Sequence, residues 1–428
     1  MKKVLSSILA LVILLSLFAG CGQNAAQPMQ QSQAPQAEKS EKKQLVFWVP
    51  FGGGDYDFMK KIVDSYNESN PKYSVELLSK DWDTYYQGVN SALIANNGPD
   101  ILVAHQSKLA ELIPTGKLKD ITSIKSDINW KEYNESQLAG VITDGVQYAV
   151  PLDTHALVMF YNEDILARAN VTEDDLRSVK NLESWNAILE KISKVIKDNE
   201  HVLDIANSGP NTIIQFWTWY LLNAQADGKY LVGNEAQLNS QAGVKALDIL
   251  VDWNKKGYLK NGIEDGASYD IFKSGAAAIN FTGVWATGNY ETKKELNFGV
   301  MPIPTINGVQ KTWGDSHTMT IPSYVSEERQ IAALHFADWV CDHGIIWAQA
   351  GHVPSKKSVT ESEEFKKLPY RSDYAEVINM VEYYPHNEHL GATIDLASLK
   401  VSECFNGEYD SQKALDLAKK EIDSLLSK

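Results

Sequence analysis

Arginine is scarce in this chain: four in 428 residues, Arg168, Arg177, Arg329 and Arg371, none inside the motifs described below. Bidentate capture of phosphate or carboxylate normally uses arginine, so the shortage disfavours an anionic ligand and favours a neutral or cationic one. The formal net charge is −15, a balance that repels phosphate backbones and anionic lipid and argues against nucleic acid and a peripheral membrane surface. Cysteine is nearly absent too. Cys21, Cys341 and Cys404 are too few for a disulfide scaffold. Cys341 ends an apolar helical pattern and reads as a buried thiol; whether it pairs with Cys404 stays open. No apolar run reaches the ~20 residues that span a bilayer. The glycine run Gly52-Gly53-Gly54 is followed by no Gly-Lys-Ser/Thr and lacks Gly-x-Gly-x-x-Gly spacing, which argues against a nucleotide loop.

The N-terminus reads as a targeting segment. Lys2 and Lys3 form a positive n-region, residues 4–18 an apolar h-region, and Ala19-Gly20 supply small residues before Cys21. That arrangement resembles the lipobox of bacterial lipoproteins, with Phe18 where such boxes usually carry leucine. The expectation is a signal peptide over 1–20, lipidation of Cys21, and a tether over 21–43, since its Gln, Ala, Pro and Ser cannot bury a core. A plain signal peptide cut near Gly20 is the alternative. Loss of Lys2 and Lys3 would leave the chain two charges more acidic. The folded part is then extracytoplasmic, lipid-anchored to the outer face of the cell membrane, and at this length two domains are expected.

Residues 45–50 predict a strand, Asp55 a helix N-cap, and Met59, Ile62, Val63 and Tyr66 that helix's apolar stripe. Residues 73–77 predict a second strand. A helix opened by Asp83 or Thr84 turns Tyr86, Val89 and Leu93 inward and stops at Gly98-Pro99-Asp100. Residues 101–104 predict a third, buried strand ending at His105-Gln106. Strand, helix, strand, helix, strand is the pattern of a parallel, doubly wound α/β sheet. Ligands in such sheets sit beyond the carboxyl ends of the strands, where Asp55, His105 and Gln106 stand. Each alone is equally well a helix cap or a structural residue.

The stretch 147–162 sets two apolar runs, 148–150 and 157–161, around Pro151, Asp153, Thr154 and His155. Proline forbids a continuous ladder, so the chain should change direction or change sheet there. The polar side chains face either solvent, as a surface turn, or a ligand. Beyond it the pattern is mostly helical, with Asn162, Ser184 and Ser240 as start signals. Residues 211–226 hold the run Phe216-Trp217-Thr218-Trp219-Tyr220; neighbours at i and i+2 point apart, so one of Trp217 and Trp219 packs inside and the other meets a cleft or solvent. Residues 269–285 read as a short helix, a glycine stop, a small-residue buried strand and a turn presenting Trp285. Residues 298–302 predict another strand, and Trp313-Gly314-Asp315-Ser316-His317 leads into one more.

Five stretches, Gly98-Pro99-Asp100-Ile101, residues 151–162, 272–285, Phe298-Gly299-Val300 and 351–354, carry a resemblance. In this order and spacing the chain resembles the family 1 extracellular solute-binding proteins, sugar receptors of ABC importers that include the maltodextrin-binding type. The resemblance covers residues 45–426. It implies an α/β, two-lobe periplasmic-binding fold, each lobe a central sheet flanked by helices, joined by a hinge of crossing segments. Lobe one would be 44–152 with 303–342, and lobe two 153–302 with 343–428, the first crossing falling at 151–155. It implies no catalysis, no cofactor and no metal, a monomer, and ABC permease subunits as partners. Gln106 falls on a ligand-contacting position, Phe216 to Trp219 on an aromatic run, and Trp285 on a stacking tryptophan. His155 stands where the maltodextrin receptor has an acid, and residues 394–405 show no aromatic match, departures that weaken maltodextrin as the ligand.

A neutral mono- or oligosaccharide suits the residue types. A pyranose offers a C–H face to aromatic rings and a hydroxyl rim to polar side chains. Trp82, Trp285, Trp313 and one of Trp217 and Trp219 could supply faces. Asp55, His105, Gln106, Asp153, His155, Asp315 and His317 could supply the rim. An exported carbohydrate-active enzyme would need two carboxylates 5 to 10 Å apart; Asp55, Asp153 and Asp315 are candidates, but nothing in the sequence pairs them. A receptor feeding a sensor kinase would look alike. His386-Asn387-Glu388-His389 has a metal-ligand spacing without further ligands nearby in sequence.

Overall fold

The computed structural model describes residues 43–69, 71–208 and 213–427. The signal segment, Cys21 and the tether up to residue 42 lie outside the described residues. Among those described, no helix is long and apolar enough to cross a membrane.

The chain opens with β1 (Lys43–Val49), helix α1 (Gly53–Glu68), β2 (Tyr73–Ser79), helix α2 (Tyr85–Ala95) and β3 (Ile101–His105). A hairpin of β4 (Ile142–Thr143) and β5 (Val146–Gln147) precedes β6 (Ala149–Pro151) and the ten-residue β7 (Asp153–Asn162). Then come β8 (His201–Asp204), a second hairpin of β9 (Leu231–Val232) and β10 (Glu235–Ala236), β11 (Ala277–Gly283) and β12 (Phe298–Pro302). Finally β13 (Thr312–Asp315) runs almost directly into β14 (His317–Thr320), and β15 (Val353–Pro354) and β16 (Val381–Glu382) follow among helices.

Two mixed sheets organise these strands. The first has the order β2-β1-β3-β14-β6. Its β1, β2 and β3 are parallel, as the strand-helix alternation predicts, whereas β14 runs antiparallel to both β3 and β6. The doubly wound expectation therefore holds for the first three strands only. An antiparallel strand arriving from some 200 residues downstream leaves no local signature. The second sheet has the order β16-β13-β7-β11-β8, with β12 and β15 also pairing with β7. All ten residues of β7 are buried, which is why its apolar run is nearly continuous rather than alternating.

Pro151 ends its ladder as expected, and the chain changes sheet. Only Leu152 separates β6 of the first sheet from β7 of the second, and only Ser316 separates β13 of the second from β14 of the first. The polar residues Asp153, Thr154 and His155 are not in a turn. They pair with Pro354, Val353 and Asp315, so both crossings lie side by side in the interior.

Two helix starts differ from expectation. Asp55 is no cap: α1 begins two residues earlier, after Gly52, and Asp55 lies in its first turn, where a carboxylate suits the helix dipole. Asn181 rather than Ser184 caps the helix Leu182–Ser193, Ser184 closing the capping box from inside. Cys341 and Cys404 are both buried and both free thiols.

Candidate functional site

A cavity of about 820 Å³ opens where the two crossings meet the carboxyl ends of β1 and β3. Phe51 and Gly52 line it from the β1–α1 turn, Asp55 from the first turn of α1, His105 from the end of β3, Trp82 from the short turn before α2 and Tyr86 from the start of α2. His155, Asp315 and His317 come from the crossing strands. Trp217, Tyr269, Trp285, Trp313, His352, Tyr384, Ile394 and Asp395 complete the far wall.

The floor is a network centred on Asp153, which is fully buried. The Nδ1 atoms of His155 and His317 lie 3.1 and 2.8 Å from its two oxygens, and Trp347 donates its indole N–H at 2.6 Å. Burial opposes the charge on Asp153, yet His317, His352 and the hydrogen bonds from His155 and His317 hold its carboxyl well below the usual range. Burial pushes the His317 imidazole down to about 4, against the pull of Asp153. His105 is likewise driven well down, by burial and by the neighbouring His317 and His155; its Nδ1 meets the Tyr86 hydroxyl at 2.6 Å. His352 goes the other way: burial works against its charge, but Asp55 and Asp153 outweigh it and raise its pKa. Asp315 is raised by burial although Ser107 donates both its N–H and its hydroxyl. With Nδ1 taken by Asp153 and by Tyr86, the neutral imidazoles at 317 and 105 each leave their Nε2 for a hydroxyl group.

The wall is aromatic. Trp217 and Trp313 stack with centroids 3.5 Å apart and planes 10° from parallel. Trp285 stands edge-on to both, at 77° and 87°, and its Nε1 donates to the Tyr269 hydroxyl at 2.9 Å. The three indoles form a corner rather than a slot. Trp82, half exposed, faces His105 edge-on from the cavity rim.

Residues 61–371 match the model of the bacterial extracellular solute-binding protein family. The chain belongs to this family. It is 25% identical to the arabinooligosaccharide-binding protein of Bacillus subtilis over 87% of its own length and 85% of that protein's. It is 24% identical to the maltodextrin-binding protein MdxE of Bacillus subtilis over 58% of each chain. The GacH receptor of Streptomyces glaucescens superposes with a TM-score of 0.80 at 16% identity, covering 90% of this chain and 99% of that one. The fold is therefore the expected α/β periplasmic-binding class, with two mixed sheets. The family is one of receptors, and the protein is a solute-binding receptor, not an enzyme.

In this solute-binding protein the cavity gathers Asp55, Trp82, His105, His155, Trp217, Trp285, Trp313, Asp315 and His317, nine of the residues that sequence reasoning singled out. Three others sit elsewhere. Trp219 is fully buried in the core and donates its Nε1 to the Gly243 carbonyl at 3.0 Å, so of the tryptophan pair it is Trp217 that reaches the cavity. Asp153 does not line the cavity; it is buried at the floor's centre, hydrogen-bonded to His155, His317 and Trp347. Gln106 lines a small adjoining pocket that shares Ser107, Asp315 and Tyr384 with the cavity, and it packs on Gly140, where an added Cβ would fall 2.3 Å from its amide. His105, one residue earlier, takes the cavity position.

Sequence reasoning missed Tyr86, Tyr269, His352 and Tyr384. His352 was within reach, because it sits in one of the five stretches that carry the family resemblance; the tyrosines stand in helices or loops whose facing is set by tertiary packing. The helix Leu390–Phe405, which offers no aromatic residue to the cavity, contributes Ile394 and Asp395.

Proposed function

We propose that the protein is an extracytoplasmic, lipid-anchored receptor that binds a neutral oligosaccharide between two lobes and hands it to an ABC-type importer. The observation that carries the sugar reading is the indole corner of Trp217, Trp285 and Trp313 set against a floor of histidines and aspartates. Aromatic faces match the C–H side of a pyranose, and side chains that both donate and accept match its hydroxyl rim. The relatives named for maltodextrin and arabinooligosaccharide binding support the same class. The cavity is large enough for several sugar units rather than one. A phosphate ligand fits poorly. Lys108 is the sole lysine or arginine among the described lining residues, and Glu111 neutralises it at 2.9 Å.

The lobes follow the sheets in this reading. Lobe one takes residues 44–152 and the segment from β14 to residue 342, together with Trp347 and Ala350, which pack in its core. Lobe two takes 153–315 and most of 353–428. Strand β13 goes with lobe two because it pairs with β7 and β16. Closure is a two-state shift favoured by contacts made only when both halves engage the ligand.

The experiment is a thermal-shift screen of neutral mono- and oligosaccharides with glycerol phosphates and phosphodiesters in the same panel. A ligand that binds only the folded state raises the melting temperature. A shift confined to the phosphate compounds would overturn the neutral-sugar reading.

A further inference from the structure

Four buried side chains at the floor of the cleft form a group whose composition sugar binding accounts for only in part. Asp153 and His155 come from the start of β7, His317 from the start of β14, and His352 from the turn before β15. All four are buried, and one donor atom from each lies within 4.8 Å of the others. The closest pairs are shorter still: His317 to Asp153 at 2.8 Å, His155 to Asp153 at 3.1 Å, and His352 to Asp153 at 3.6 Å. A tetrahedral ion with bonds of about 2.0–2.1 Å spaces its donors by roughly 3.3 Å, within the range of those separations.

A hydrogen-bonded network accounts for part of the group. Asp153 accepts from Trp347, from the backbone N–H of His317 and from two imidazoles. It does not account for His352. That ring is about 1% exposed, yet neither nitrogen has a hydrogen-bond partner. Its Nδ1 is 3.6 Å from Asp153 and its Nε2 3.2 Å from Asp55, at angles that make no hydrogen bond. The ring cannot turn freely to improve them, because it lies flat on Trp347, centroids 4.6 Å apart and planes 6° from parallel. Two carboxylates lie beside the ring, but neither nitrogen makes a hydrogen bond, so the buried imidazole can still take a partner. A cation accepting an electron pair from one of them is such a partner.

We propose that Asp153, His155, His317 and His352 form a binding site for one divalent transition-metal ion of the Zn²⁺ class. Three imidazoles and a carboxylate are the borderline nitrogen and oxygen donors such an ion selects. The ligands come from both segments that cross between the sheets, so the ion ties the crossings together beneath the cleft. Nothing in this depends on the ligand in the cleft being a sugar.

The test titrates the full chain, first stripped with EDTA, with Zn²⁺ alone and in parallel with Co²⁺. One equivalent should bind, raise the melting temperature reversibly with EDTA, and give Co²⁺ the visible absorption of a four-coordinate nitrogen and oxygen site. His352→Gln and His317→Ala should each weaken binding roughly ten-fold or more, with the fold checked by circular dichroism. His386→Ala with His389→Ala should leave the stoichiometry unchanged. Uptake below about a tenth of an equivalent by the unmutated protein at micromolar Zn²⁺ overturns the proposal, and so does uptake that only the 386/389 pair abolishes. If His317→Ala fails to fold, His352→Gln decides: unchanged affinity in that variant also overturns it.

Discussion

Gly283 and Trp285 occupy the same space: a Cβ placed on Gly283 would fall 2.0 to 2.2 Å from the six-membered ring of the indole. Trp285 can fold back over the end of β11 only because the strand ends in glycine. The backbone at Gly283 is extended, φ −87° and ψ 161°, which any residue adopts. Its role is therefore to leave room and not to supply an unusual turn. Gly283→Ala should displace the ring while the strand survives. Binding of the sugar identified by the thermal-shift screen should weaken about ten-fold, some 1.4 kcal/mol, with little change in the ligand-free melting temperature. Calorimetric titration checks this, and an unchanged affinity would take Trp285 out of the ligand contact. Trp285→Ala is the blunter experiment. The indole packs against both cores of the second sheet and bonds to Tyr269, so its loss also lowers stability.

Trp217 and Trp219 should part company on truncation. Trp219 is enclosed and bonded to Gly243, and Trp219→Ala should cost about 3–5 kcal/mol of folding stability. Trp217 faces the cavity, where its ring contacts are the stack on Trp313 and the edge of Trp285, so Trp217→Ala should cost about 1–2 kcal/mol of ligand affinity and less stability than Trp219→Ala. Urea unfolding and calorimetric titration on both variants separate the two. A reversal of the pattern would put the cavity on the wrong side of this helix.

How much of this could be read in the chain itself follows from distance. Pro151 announces a change of sheet because proline breaks a ladder wherever it occurs, and the Gly275 stop and the small residues of β11 announce a buried strand by composition. The run 216–220 shows locally that its tryptophans diverge, though not which faces the cavity. That choice depends on Gly243 and Trp313, each reached only after folding. The floor is harder still. Asp153 meets His317 across 164 positions and Trp347 across 194, so its burial beneath the histidines it orients has no local signature. The antiparallel β14 fails for the same reason. His105 and Gln106 are neighbours in sequence, yet the first lines the cavity and the second a smaller pocket beside it, a division set by packing on Gly140.

The membrane anchor rests on Cys21 and the residues before it, all outside the described structure. If Cys21 is lipidated, metabolic labelling with a fatty acid should mark the unmutated chain in its bacterial host. Cys21→Ser should abolish the label and release the protein from the membrane fraction. A label retained on Cys21→Ser would sink the lipoprotein reading while leaving the solute-binding fold untouched.

Acid should weaken the second lobe through Glu200. Its carboxylate accepts from Arg168 and from the backbone N–H of Lys197 at 3.0 Å, clasping the helix Glu163–Arg168 to the turn that enters β8. Burial works against the charge, but the Arg168 guanidinium and that N–H outweigh it and hold the carboxyl below its usual value. A carboxylate whose pKa is depressed by folding contributes stability above its unfolded pKa of about 4.3, and that contribution is lost as pH falls through the folded value. Glu200→Gln keeps the shape and removes the charge. At pH 7 the variant should be less stable by about 1 kcal/mol, since one partner is partly exposed and solvent screens the pair. The gap should close as pH falls below about 4.3 and through the lower folded value, where the unmutated carboxyl also becomes neutral. Urea unfolding at a series of pH values measures it. A gap of constant size down to pH 3 would show that Glu200 acts through packing and not through its charge.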